Sequence, residues 1–92
     1  MTYDHIALQS RARRTSVAFL MAETDVGITF AEIAMHSEHP RRIAETRAWA
    51  RSAYQAAIRY SGRVSLTDDE AREIGLRLSR LKTRLQQLGE AL

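Results

Sequence analysis

The sequence predicts an all-α protein, an antiparallel three-helix bundle, from three observations. Breakers are sparse, with one Pro and four Gly in 92 residues. No four-residue stretch alternates β-branched or aromatic residues with polar ones as a half-buried strand would. Apolar residues instead recur at spacings of three and four along most of the chain. Residues 1–92 are expected to form a single domain, which at this size buries only roughly 60 to 65% of the surface its unfolded chain exposes. Without Cys there is no disulfide or thiolate metal site to supplement that thin core.

The first helix is expected from about Asp4 to Ser37. Gly27 followed by Thr29, Phe30, Ala31 and Glu32 resembles a capping box that would split it, with Ile28 stapling onto Ile33. Against that, the apolar phase passes Gly27 undisturbed, and an isolated Gly costs a helix only about 1 kcal/mol relative to Ala. One long helix, with a bend near Gly27 allowed, is the reading favoured. The hinge after it, Ser37 to Pro40, closes one helix with His36 and His39 and opens the next with Pro at its first position, where the missing N–H is no loss.

The middle helix is expected from Pro40 to Tyr60, with Gly62 as its C-terminal stop. Ile43, Thr46, Trp49, Ala50, Ala53, Tyr54, Ala57 and Tyr60 fall on one arc of it, and the alanines mark a face that a neighbouring helix can approach closely. The last helix is expected from Thr67 to Ala91. Thr67 and Glu70 form a capping box, Leu66 is placed to staple onto Ala71, and Ala71, Ile74, Leu78, Leu81, Leu85, Leu88 and Leu92 make a leucine seam. Acids at its start and bases further along complement the helix dipole.

The first helix carries two opposed apolar stripes. Leu8, Ala12, Phe19, Val26, Phe30 and Ile33 form one, expected to receive the alanine face and the leucine seam. Val17, Leu20, Met21, Thr24, Ile28, Ala31 and Met35 form the other, expected to be a self-association or partner surface. A helix in a lone three-helix bundle needs only one apolar side. The economical occupant of the second is another copy of the chain, in a two-fold homodimer.

Chemistry is sparse. Glu32, His36, Glu38 and His39 lie near one another, yet match no ligand signature such as HExxH, so no metal is expected. Ser37, Glu38 and His39 are too close in sequence to act as a triad, and no Gly-rich phosphate loop is present, so neither catalysis nor a cofactor is expected. The 14 Lys and Arg against 11 Asp and Glu leave a net charge of +3. That makes a small basic nucleic-acid-associated protein the alternative function, with Arg11, Arg13, Arg14, Arg47, Arg51 and Arg59 on phosphates and Trp49 or Tyr60 as stacking surfaces. Glu45, Glu73 and Glu90 interrupt those basic surfaces. The N-terminal sequence lacks a signal-peptide core and "VAFLMA" is far too short to span a bilayer, so a soluble cytoplasmic protein without membrane contact is expected.

Two resemblances add to this reading. From Ala50 to Leu88 the chain resembles small uncharacterised bacterial helical proteins that share an A-R-x-A-Y-x-x-A-x-R-[YF] helix, a short loop and an L-T-x-x-E start to a leucine-spaced helix. That resemblance implies a fold and no activity. Ala50, Tyr54 and Ala57 also resemble the A-x-x-x-[FY]-x-x-A spacing in the second helix of a tetratricopeptide unit, which implies a tetratricopeptide-like hairpin plus a third helix and a role in protein binding. Arg47 stands where that pattern usually has an aromatic, and Gly62 where it has Pro. The function expected is a non-catalytic protein–protein interaction or scaffold module that self-associates.

Overall fold

The computed structural model describes residues 2–92, with side chains from Ile6 onward. It is a three-helix bundle of α1 (Thr2–His36), α2 (Pro40–Ser61) and α3 (Asp68–Gln87), 57 Å long. α1 and α2 form a hairpin, and α3 lies along one side of it in contact with both.

α1 runs through Gly27 as a single 35-residue helix. The glycine marks a three-way crossing: a Cβ built on it would lie 2.6 Å from Leu81 Cδ2 and 3.0 Å from Ala53 Cβ. Absence of a side chain lets all three helices meet there. Around it Thr24, Ala31 and Ala34 of α1 are buried, opposite the buried Thr46, Ala50, Ala53 and Ala57 of α2. Small residues face small residues, so the two helices approach closely. The two threonines hide their hydroxyls by donating back along their own helices, Thr24 to the Leu20 carbonyl at 2.9 Å and Thr46 to the Arg42 carbonyl at 2.6 Å.

This crossing reverses the expected roles of the two α1 stripes. Val17, Leu20, Thr24 and Ala31 are buried within the chain, and Met21 and Ile28 are half-buried against its core. Of that supposed self-association stripe only Met35 is exposed, at 38%. The stripe expected to be core is the open one: Leu8 is 61% exposed, Val26 46% and Phe19 40%, Ala12 is exposed, and Phe30 and Ile33 are half-buried. The physical reason is size. A face of Ala50, Ala53 and Ala57 admits Gly27, Ala31 and Ala34 at close range, whereas Phe19 and Phe30 would hold the axes apart.

The core has two parts. Near the hairpin Ala31, Ala50, Leu81 and Leu85 cluster with Ile28, Phe30, Tyr54 and Leu88 around them; toward the other end Leu20, Ala57 and Ile74 are joined by Met21, Val64, Leu66 and Leu78. Leu66 thus serves the core, while Ala71, its expected staple partner, is exposed.

The capping box at Thr67 is present. The Glu70 N–H donates to Thr67 Oγ1 at 3.1 Å, and the Thr67 N–H donates to Glu70 Oε1 at 2.9 Å. The hinge between α1 and α2 is tied by the His39 N–H donating to Ser37 Oγ and by the Ile43 N–H donating to the His39 carbonyl, with Pro40 opening α2.

Two helix ends differ from expectation. Gly62 caps α2 in the right-handed region, φ −73°, so its left-handed freedom is unused. α3 stops at Gln87 rather than Ala91. Gly89 takes φ +96°, its N–H donates to the Gln86 carbonyl and that of Glu90 to the Leu85 carbonyl, a Schellman stop. The turn brings Glu90 back onto α2, where Arg47 and Arg51 each donate to it at 2.9 Å. Leu92, beyond the stop, leaves the seam and is 40% exposed.

Candidate interaction surface

With α3 on one side of the α1/α2 hairpin, the other side is uncovered, and it carries aromatic residues from both helices. Phe19 of α1 meets Tyr60 of α2 with ring centroids 4.8 Å apart, and Phe30 meets Trp49 at 5.1 Å, both tilted. Such ring pairs prefer offset or tilted geometry and hold each other's rotamers. They remain open to solvent nonetheless: Trp49 is 50% exposed and Tyr60 44%. Between the ring pairs an open cleft of about 370 Å³ is lined by Glu23, Val26, Phe30, Trp49, Ser52 and Ala53. The small inner residues of α1 and α2 set the spacing of the two helices and with it the shape of this surface.

Trp49 and Tyr60 lie at the edge of the arc expected to face the core. They sit just beside the line of Thr46, Ala50, Ala53 and Ala57, on the flank away from α3. A rule matching residue sizes across the α1/α2 contact finds them, because the alanine line leaves no room for an indole beneath it.

The arginines named for phosphate contact are dispersed, and half of them are engaged. Arg13 donates to Glu70 at 2.6 Å, and Arg47 and Arg51 share Glu90. Arg11 and Arg14 are exposed on the N-terminal part of α1, and Arg59 is exposed on α2. The engaged carboxylates feel their partners. Glu70 is held below its ordinary carboxyl range first by the Thr67 backbone N–H and then by Arg13; Glu90 is held below it first by the Arg47 hydrogen bond, with Arg51 adding to the effect. On α3, Arg77 reaches both Glu73 and Asp25 of α1.

Among the described residues no three His, Asp or Glu side chains converge as a ligand set. His36, Glu38 and His39 are exposed around the hinge, and Ser37 Oγ accepts the His39 N–H. Among the described residues no helix is long and apolar enough to cross a membrane.

Compared with family models, curated proteins and solved structures, the chain matches none of them.

Proposed function

We propose that the protein is a non-catalytic interaction or scaffold module that works by self-association, through the face of the α1/α2 hairpin opposite α3. The observation that carries this reading is the exposure on one side of Phe19, Val26, Trp49 and Tyr60, large apolar residues held on two helices. Contiguous exposed apolar surface in a small chain marks an interaction site or an aggregation hazard, and the two-fold homodimer is the commonest form of soluble oligomer. The hairpin is read as tetratricopeptide-like on the strength of Ala50, Tyr54 and Ala57, two of which are buried against α1. A bacterial cytoplasmic setting belongs to the same proposal; it rests on the resemblance of Ala50 to Leu88 to small bacterial helical proteins, and the Cys-free composition is compatible with a reducing compartment. Light scattering across micromolar concentrations tests the reading: a mass near twice 10.5 kDa is expected, and a monomer throughout the range contradicts it.

A further inference from the structure

We infer that the occupant of the open face is the α1 helix of a second copy, lying antiparallel to the first in one register. This inference rests on the self-association reading and names its geometry. From Leu8 to Ile33 the outward side of α1 reads Leu8, Ala12, Thr15, Phe19, Ala22, Val26, Thr29, Ile33, alternating spacings of four and three, with no charged residue among them. Alternation of that kind makes a coiled-coil seam. In this fold α2 meets the seam at its edge, where Phe19 packs on Tyr60, yet all of the seam is exposed except Ile33, which is half-buried.

Antiparallel pairing with Phe19 set on the partner's Ala22 makes the layers complementary in size. Leu8 then faces the partner's Ile33, Ala12 the partner's Thr29, and Thr15 the partner's Val26. Two-fold symmetry repeats each layer, and in the three inner ones a larger side chain meets a smaller one. Charge selects this register independently. The flank of the seam away from α2 carries Arg11, Ala18, Asp25 and Glu32 at seven-residue intervals. In an antiparallel pair each flank meets its own counterpart, so Arg11 falls beside the partner's Glu32 at both ends of the interface. Neither residue has an ion-pair partner among the described residues of its own chain, and both are exposed. Sliding the helices by one heptad toward the hairpin end sets Asp25 against the partner's Asp25 and leaves Arg11 and Glu32 without a charged counterpart, and sliding them one heptad the other way offers Arg11 only an Asp25 that Arg77 already holds.

Cross-linking tests the register, because the natural chain has no Cys to confuse it. In the proposed pairing Thr15 lies opposite the partner's Val26, whereas each is displaced from its own copy by about 16 Å along the helix. Under oxidation a mixture of Thr15→Cys and Val26→Cys chains, both checked for native helicity, is expected to give a covalent heterodimer. Either variant alone is expected to stay uncross-linked. A wild-type chain that dimerises while the mixture fails to cross-link, or while a single variant cross-links to itself, overturns the register and leaves self-association standing. A wild-type chain that is monomeric overturns the reading beneath it as well. Charge reversal gives a second readout: Arg11→Glu and Glu32→Arg are each expected to weaken dimerisation by about threefold to thirtyfold, and the double variant to recover most of the loss. Additive loss in the double variant contradicts the pairing.

Discussion

Leu81 Cδ2 of α3 fills the space a side chain on Gly27 of α1 would need, only 2.6 Å from where its Cβ would stand. Because Leu81 is fully buried and Ala53 closes the other side at 3.0 Å, an added methyl forces the Leu81 side chain to repack within a filled core. Gly27→Ala gains about 1 kcal/mol of helix propensity but overpacks the crossing at a cost of roughly 1 to 3 kcal/mol. The expected net effect is a loss of about 1 kcal/mol in urea unfolding. Gly75 on α3 supplies the contrast, since a Cβ there meets nothing within 4 Å. Gly75→Ala is expected to stabilise the protein by up to about 1 kcal/mol.

The end of α3 depends on Gly89 in the same way, for a different reason. At φ +96° any residue with a Cβ is strained. Gly89→Ala is expected to cost about 1 kcal/mol in urea unfolding and to loosen the turn that delivers Glu90 to Arg47 and Arg51, which amide exchange at the α3 C-terminus would register as lost protection.

Acid should weaken the fold through Glu70 and Glu90. Both carboxyls are held below their ordinary value of 4.5 in the folded chain. Their partners therefore contribute stability at neutral pH that begins to fall below that value and is gone once pH passes through the lowered folded values. Thermal melts between pH 7 and pH 3 are expected to show a declining midpoint, and Glu90→Gln is expected to be less stable at pH 7 and to decline less on acidification.

Much of the architecture is legible in the sequence, and the two places where it misleads have different causes. The Thr67 and Glu70 capping box, the Pro40 start and the leucine seam from Ile74 to Leu88 are local patterns whose meaning does not depend on the neighbours. Which stripe of α1 faces inward does depend on them. By size alone Phe19 and Phe30 look more like core than Thr24 and Ala31, but the alanine face of α2 selects the smaller set. The α3 stop was misplaced because a leucine at the seam spacing, Leu92, lies beyond Gly89 and suggested continuity.

Contrasting substitutions on the two stripes follow from that assignment. Leu20→Ala, in the core, is expected to cost about 3 kcal/mol in urea unfolding. Phe19→Ala, one residue away on the open face, is expected to change the unfolding of the isolated chain by much less and to weaken association.

The dispersed arginines make a different expectation for nucleic acid. With Arg13, Arg47 and Arg51 engaged by carboxylates, titration of duplex or single-stranded DNA at low salt is expected to show no tight binding. Strong binding with a steep loss on adding salt would favour the basic alternative.

Sedimentation equilibrium on wild-type protein and on Val26→Asp tests the central claim most directly, that the open face of the α1/α2 hairpin is where a second copy sits. The wild-type chain is expected to sediment as a dimer, and Val26→Asp as a monomer with unchanged helical circular dichroism; a wild-type monomer, or a Val26→Asp chain that dimerises as well as wild type, would contradict it.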